Sequence, residues 1–391
     1  MATGADGKKG RLHYSLFGDG PTKVMLVMGL AGTGNQWDFI ARELTHGAAH
    51  KGRYTVLTFD NRGVGFSSSK PSGRWTTKAM AKDALALLDH VGWTARKGVH
   101  VAGMSMGGMI AQELVLLAPQ RFASAAFMCT HSNGALCPPP LAGLRTGARA
   151  IFSRTARSRL RAGLMVLFPG PWLDTLGVDD GGAADGGIPP GGRTVFDGVV
   201  ANEKDHKAVA AEDAATSAVS GASASAAAAA AVPRRRLVPQ LQRMGRELLR
   251  RGTKYTSVGR TGFAPDGPAR QLLAVLTHWV SDARLRTLRW PPPKALGKYA
   301  RARAWENGPV AVAALAGRKD VLVRWTDTLH LARMAGARFH LLPDAAHGLY
   351  DQCPEEVCAA LAANFARGAR MQALHALELE QEATTGIRAR L

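Results

Sequence analysis

The chain has 391 residues, of which 46% are hydrophobic, and a formal net charge of +20. This length and hydrophobic content predict one large folded domain or two ordinary ones, and they exclude a chain that is disordered throughout. The four cysteines form no CxxC pair, which excludes a disulfide scaffold and a cysteine-rich zinc module; they are Cys129, Cys137, Cys353 and Cys358.

Strand and helix patterns alternate over the first 135 residues. Short apolar runs predict strands at Leu12–Phe17, Val24–Met28, Tyr54–Phe59, Val99–Gly103 and Ser124–Cys129. Helical spacing of apolar residues predicts helices at 36–44, 77–91 and 106–118. This repeated βα pattern predicts a mostly parallel sheet with helices on both of its faces.

The regular pattern stops after Pro138–Pro140 and returns near residue 309. We therefore predict one α/β core, formed by residues 1–135 and 308–391, that is interrupted by an insertion at 136–307. Within the insertion, residues 177–193 and 208–232 are low in complexity and too poor in large apolar groups to form a core. The remaining predicted elements are an amphipathic helix at 268–289, strands at Val310–Ala316 and Arg338–Leu342, helices at 326–335 and 354–366, and a surface helix at 371–382.

The excess positive charge lies mainly in this insertion. Residues 141–308 hold 26 of the 50 Lys and Arg residues but only 13 of the 30 Asp and Glu residues. Basic surfaces attract phosphates and anionic lipid headgroups without sequence specificity. We interpret the charge as a solvated face and expect no nucleic-acid partner. Weak contact with an anionic membrane surface is the alternative, and oligomeric state is not predicted.

A G-x-S-x-G pattern centred on Ser105 lies between a predicted strand and a predicted helix. A serine in a tight strand-to-helix turn projects its hydroxyl from the edge of the sheet. Its neighbours two residues away approach each other so closely that glycine is required at Gly103 and Gly107. The pattern therefore predicts a nucleophile elbow.

Five segments in order resemble the α/β-hydrolase superfamily. They are 27–32, the loop after the third strand of that family; 59–67, its DxRGxGxS loop; the turn at Ser105; 317–320, its acid turn; and 344–348, its histidine loop. The closest resemblance is to the branch with MGL and DNRGxGxS motifs. The resemblance covers residues 10–135 and 308–368, and it implies an α/β-hydrolase fold with the insertion at the position of a lid.

The resemblance and elementary chemistry together predict a triad of Ser105, His347 and Asp320. A serine hydroxyl needs a base to become nucleophilic, histidine titrates near neutrality, and a carboxylate fixes the tautomer of that histidine. The chain order Ser, Asp, His is the order that this fold uses. Asp327 is a distant second candidate for the acid, and Asp344 is too close to His347 in sequence.

The resemblance also implies an oxyanion hole made by the backbone N–H groups of Leu30 and Met106. The family often has His-Gly in the first of these loops, whereas this chain has Met28 and Gly29. The hydrogen bonds through which a histidine holds the loop are therefore missing. Asp60 and Arg62 are predicted to brace loops rather than to take part in the chemistry.

The predicted activity is a serine hydrolase that cleaves a hydrophobic ester, lactone or acylglycerol through an acyl-enzyme. A C–C bond hydrolase or a cofactor-free perhydrolase is the alternative on the same triad. A slow-turnover ligand receptor that binds partners through the basic insertion is a further alternative. No metal-binding or nucleotide-binding motif occurs, so no cofactor is predicted, and the expected partner is a small hydrophobic acyl substrate.

The sequence also carries expectations about location. No window reaches the roughly 18 apolar residues of a membrane span, and the first residues lack the apolar region of a secretory signal. We therefore expect a cytoplasmic protein. A plastid or a mitochondrion is the alternative, because the N-terminus is basic and poor in acidic residues.

Overall fold

The computed structural model describes residues 11–67, 74–152, 164–174, 176–179, 236–239, 266–292 and 298–385. Strands in these residues are β1 (Tyr14–Phe17), β2 (Thr22–Val27), β3 (Tyr54–Phe59), β4 (Val99–Met104), β5 (Phe122–Met128), β6 (Leu176–Asp179), β7 (Arg236–Pro239), β8 (Ala311–Gly317) and β9 (Arg338–Leu342). Seven of them form one sheet in the order β1-β3-β2-β4-β5-β8-β9, and β6 pairs with β7 separately.

Helices lie between these strands and after them. They are α1 (Asp38–His46), α2 (Thr77–His90), α3 (Met106–Leu117), α4 (Leu141–Phe152), α5 (Gly170–Asp174), α6 (Gly267–Leu276), α7 (Asp282–Arg286), α8 (Lys298–Asn307), α9 (Trp325–Ala335), α10 (Leu349–Gln352) and α11 (Pro354–Thr385). None of the helices in the described ranges is long and apolar enough to cross a bilayer.

The seven-stranded sheet is parallel except at β1, which runs antiparallel to β3. Every residue of β3, β4, β5 and β8 is buried, as expected for strands that are covered on both faces. One core cluster packs α2, α3 and α9 against the sheet, and a second packs α1 and α11 against its other face. The predicted fold class is confirmed.

The structure corrects the predicted helix at 268–289. The segment forms two helices, α6 and α7, instead of one. The large apolar residues of α6 do not form its packing face, since Leu272, Leu273 and Leu276 are each about half exposed. After α6, Trp279 is about half exposed, whereas Val280 is buried as predicted. The buried residues of α6 are instead Gly267, Gln271 and Ala274. Because this face carries only small and polar side chains, the helix can approach the loop backbone more closely than leucine side chains would allow.

The structure also corrects the C-terminal prediction, because the segments 354–366 and 371–382 belong to one helix, α11. Gly368 lies between the two predicted segments. A Cβ atom at this glycine would lie 2.7 Å from the carbonyl oxygen of Ala123. Glycine costs a helix interior only about 1 kcal/mol relative to alanine, so it allows close packing on β5 without ending the helix.

The described parts of region 136–307 contact the core at several points. Leu164, Phe168 and Leu173 form a small buried cluster of their own. The low-complexity segments 177–193 and 208–232 lie outside the described residues, apart from 177–179 in β6. The predicted domain boundaries stay a prediction.

Candidate active site

Ser105 occupies the turn between β4 and α3, and its backbone is in an unusual conformation. Its φ is 56° and its ψ is −120°, a region that non-glycine residues rarely adopt. A Cβ atom at Gly103 would lie 2.1 Å from the carbonyl oxygen of Gly107. A Cβ atom at Gly107 would lie 2.1 Å from the carbonyl oxygen of Val27. Both glycines predicted from the pattern are therefore required by backbone contacts.

Hydrogen bonds fix this turn to the end of the neighbouring strand β5. The Ser105 N–H donates to the Met128 carbonyl at 2.8 Å. The Thr130 hydroxyl donates to the Ser105 carbonyl, also at 2.8 Å. Met106 is the first residue of α3, so its N–H has no acceptor within the helix and is available to a ligand.

His347 and Asp320 form a buried pair. The distance from His347 Nδ1 to Asp320 Oδ2 is 2.8 Å, and the two side chains are 6% and 1% exposed. The other carboxylate oxygen, Oδ1, accepts the backbone N–H groups of Leu322 at 2.7 Å and Val323 at 3.0 Å. These bonds fix the orientation of the carboxylate and, through it, the orientation of the imidazole.

The structure thus places Asp320 beside the histidine rather than either of the other acids considered. Asp344 is 85% exposed and pairs with Lys319 at 2.7 Å. Asp327 lies in the first turn of α9, where partial burial raises the pKa of its carboxyl.

The loop that carries His347 also contacts the inserted region. The Gly348 N–H donates to the Leu167 carbonyl at 2.7 Å. A Cβ atom at Gly348 would lie 2.5 Å from the ring of Phe168, which in turn stacks on Trp172 at 5.0 Å between ring centroids. Phe168 therefore packs against the residue that follows the histidine, and Trp172 packs on Phe168.

Residues 28–34, which follow β2, lie against the serine. A Cβ atom at Gly29 would lie 3.1 Å from Ser105 Cβ and 3.7 Å from its Oγ. The Asn61 amide donates to the Met28 carbonyl at 2.8 Å, and Asp60 Oδ1 accepts the Gly34 N–H at 2.8 Å. The loop after β3 thus supports the loop that is predicted to supply Leu30.

The charged residues of that supporting loop bind protein groups. Asp60 Oδ2 accepts the Phe66 N–H at 3.0 Å. Arg62 donates two hydrogen bonds of 2.6 Å to Asp83 on α2, and both side chains are buried. This bidentate geometry is the strongest that an arginine makes with a carboxylate. The contacts agree with the loop-bracing role predicted for Asp60 and Arg62.

Two residues that sequence analysis did not select also lie at the site, just after β5. Cys129 Sγ and the ligand atoms of Asp320 and His347 all lie within 4.8 Å of one another. Burial, followed by the nearby Asp320 charge, raises the pKa of the Cys129 thiol well above its usual value, so the thiol stays protonated. With His347 Nδ1 held by Asp320 as well, this donor set does not favour a metal ion.

The second residue is His131, which is 5% exposed. Burial and then the neighbouring His347 lower its pKa to about 4, so its imidazole is neutral at pH 7. Its Nδ1 is buried without a hydrogen-bond partner in the part of the chain that the structure describes. No motif marked Cys129 or His131, but their position at the carboxyl end of a strand beside β4 was a usable signal.

Comparison with known proteins agrees with this architecture. Residues 23–160 match a family model described as the alpha/beta hydrolase fold. This match and the solved structures that align with the chain show the α/β-hydrolase fold. Among solved structures, a hydrolase from Pseudomonas aeruginosa aligns over 93% of this chain and 96% of its own, with a TM-score of 0.54 and 20% identity. A thermophilic esterase from Thermogutta terrifontis aligns over 94% and 97%, with a TM-score of 0.52 and 19% identity.

Curated relatives of the chain match over shorter lengths. BpoC of Mycobacterium tuberculosis, which is named as a non-heme bromoperoxidase, is 34% identical over 112 residues, or 28% of this chain and 38% of that protein. RutD of Caulobacter vibrioides, which is named as a carbamate hydrolase, is 35% identical over 115 residues, or 29% of this chain and 39% of that protein. The chain therefore covers less than two thirds of the length of these relatives.

Proposed function

We propose that this α/β-hydrolase is a serine hydrolase of carboxylic ester-type bonds that works through an acyl-enzyme. One observation carries the proposal. A serine in a strained strand-to-helix turn and a buried His–Asp pair follow parallel strands of the same sheet. Parallel strands end at a common edge, so these groups can act on one substrate atom.

The chemistry follows from the role of each group. Ser105 Oγ attacks the substrate carbonyl carbon while His347 Nε2 takes the hydroxyl proton. Asp320 holds Nδ1–H and stabilises the imidazolium that forms. The backbone N–H groups of Leu30 and Met106 donate to the oxyanion of the tetrahedral intermediate. His347 then returns the proton to the leaving oxygen, and water releases the acyl group by the same route.

A hydrophobic acyl group is the proposed specificity. The buried Phe168 packs on Gly348 of the histidine loop and stacks on the partly exposed Trp172, so an apolar segment adjoins that loop. The ester-type class draws support from the esterase among the structural neighbours. The relative named as a carbamate hydrolase makes a carbamate the natural second substrate to include in a panel.

The test is covalent labelling with a fluorophosphonate probe, which needs an activated serine. We expect wild type to label and Ser105→Ala to lose all labelling. Ser132→Ala, which removes another buried hydroxyl after β5, controls for labelling elsewhere and should label like wild type. Absence of labelling in folded wild type would contradict the proposal and favour the receptor alternative.

The substrate class is tested with p-nitrophenyl esters of increasing chain length together with a matched carbamate. We expect kcat/KM to rise with acyl length, since added methylenes gain apolar contact. A preference for acetate over every longer chain would contradict a hydrophobic acyl site. Turnover far below about 1 per second on every substrate would favour a receptor.

A perhydrolase is the second candidate, and the relative named as a bromoperoxidase favours it. In this reaction hydrogen peroxide, instead of water, attacks the acyl-enzyme, and the acyl group is released from the serine as a peroxy acid. The measurement is peroxy-acid formation from an ester and hydrogen peroxide, compared with hydrolysis of the same ester. Product partitioning mainly to the peroxy acid, lost in Ser105→Ala, would establish this candidate over simple hydrolysis.

A further inference from the structure

Gln271 is a fully buried polar residue on α6, within the region predicted as an insertion. Its side-chain amide makes two hydrogen bonds to core backbone. Its Oε1 accepts the Ala31 N–H at 2.8 Å, and its Nε2 donates to the Arg62 carbonyl at 2.9 Å. One side chain therefore joins the loop after β2 to the loop after β3.

The start of α6 is held against the second of these loops. A Cβ atom at Gly267 would lie 2.2 Å from the carbonyl oxygen of Gly63, so helix and loop backbones are in direct contact. Gln271 follows Gly267 by four residues and therefore lies on the same face of the helix. Because this contact places the helix, the Gln271 amide is positioned between its two backbone partners.

The loop that contains Leu30 is consequently held on both sides of that residue. Asn61 binds the Met28 carbonyl on one side, and Gln271 binds the Ala31 N–H on the other. Ala31 has a φ of 56°, a conformation that a non-glycine residue keeps only when its surroundings impose it. The Leu30 peptide group lies between these two hydrogen bonds.

We propose that Gln271 is a positioning residue for the oxyanion hole, holding the Leu30 N–H in its donating orientation. The proposal rests on the proposed function and assigns to the inserted region a part in transition-state stabilisation. It also accounts for the family's missing histidine at Met28, because side chains from other segments hold the loop instead. Gln271 itself makes no contact with the reacting atoms in this proposal.

The amide is specifically required, because one partner is a donor and the other an acceptor. Gln271→Glu keeps the shape but places a second acceptor against the Arg62 carbonyl. Gln271→Met keeps the length but leaves both backbone groups unpaired. Two variants with different defects guard against failure of either one to fold.

The test compares these variants with wild type in ester hydrolysis and in binding of a boronic acid, which forms a tetrahedral adduct on a serine. Losing an oxyanion donor lowers kcat by about 10²–10³, so a displaced donor should lower it by about 10-fold or more. We expect KM to change less than about twofold and boronate affinity to fall in parallel with kcat. Gln372 on α11 donates a 2.6 Å hydrogen bond to the carbonyl of Pro309, which precedes β8. The control variant Gln372→Met removes this bond and should leave kcat unchanged.

The outcomes separate this inference from the proposed function. If wild type labels at Ser105 but the folded Gln271 variants keep the wild-type kcat, only the positioning role of Gln271 is overturned. A raised KM with unchanged kcat and boronate affinity also overturns it, because that result indicates a role in substrate binding. Failure of wild type to label overturns the proposed function first.

Discussion

Ser105 combines a strained backbone with tight packing around it. Non-glycine residues in sparsely populated regions cost about 1–3 kcal/mol and persist only where surrounding contacts impose them. Here the contacts are the two glycine approaches and the hydrogen bonds to the end of β5. The turn is therefore held in one conformation before any substrate arrives.

Gly107→Ala tests this packing. The added methyl group would meet the Val27 carbonyl, so β2 or α3 must shift, and overpacking of this kind costs roughly 1–3 kcal/mol. We expect lower stability in urea unfolding and loss of fluorophosphonate labelling. Gly170→Ala is the matched control, because its nearest neighbour would be a flexible methionine methyl group at 3.8 Å. Equal labelling by both variants would contradict the prediction.

Asp320→Asn tests the acid. Asparagine keeps the shape but cannot stabilise an imidazolium and favours the wrong histidine tautomer, so kcat should fall by as much as about 10⁴. The measurement is kcat on the best ester, with thermal unfolding as a check on folding. Asp344→Asn removes an exposed carboxylate that pairs with Lys319, the neighbour of Asp320 in the chain, and it should retain wild-type activity. A comparable loss in both variants would argue against a specific role for Asp320.

Between elements, the loop after β3 is the part that ties the site together. Its Asn61 and Asp60 hold the loop after β2, and its Arg62 anchors it to α2. Helix α6 then closes on the same loop. The loop after β2, α2 and α6 thus meet at a single segment that takes no direct part in the proposed chemistry.

Asp83→Asn tests the anchor to α2. It leaves the buried Arg62 guanidinium without its counter-charge, which typically costs about 3–5 kcal/mol. We expect a matching fall in the free energy of unfolding, measured in urea. The control variant Asp89→Asn removes the partner of Arg121. Because the Asp89 side chain is 58% exposed, this change should lower the free energy of unfolding by about 1 kcal/mol or less. A cost for Asp83→Asn no larger than that of this control would contradict the assignment.

Across the whole molecule, buried neutral histidines predict sensitivity to acid. Burial lowers the pKa of His100 and His131 to about 4 and that of His278 to about 3. The unfolded chain binds these protons near pH 6.5, whereas the folded protein binds them only below pH 4. The stability that these three histidines contribute is therefore complete above pH 6.5 and is lost as pH falls from 6.5 through 4.

The measurement is the free energy of unfolding in urea at several pH values between 7.5 and 4.5. Carboxylates titrate in the same range, so His100→Gln is compared with wild type. Because the variant lacks one of the three imidazoles, its stability should fall less steeply with acidification. Identical slopes would show that His100 is not neutral and buried in the folded protein.

The sequence by itself determined the sheet and the order of its strands along the chain. Strand patterns placed Tyr54–Phe59 and Arg338–Leu342 at the observed bounds. It also marked Ser105 and both of its glycines, because a turn this tight leaves a local signature. These features depend on neighbours within a few residues, and pattern reasoning reads such local constraints well.

Only the tertiary structure decided which distant groups meet. It placed Cys129 and His131 beside His347 and Asp320, a pair that the family resemblance had predicted, and it inserted Gln271 between two loops. The leucines of α6 predicted the opposite face for that helix, since hydrophobicity alone ignores the close backbone approach that glycine and glutamine permit. The physical reason is that such contacts join residues as many as 240 positions apart, and their hydrogen bonds leave no periodic pattern in the chain.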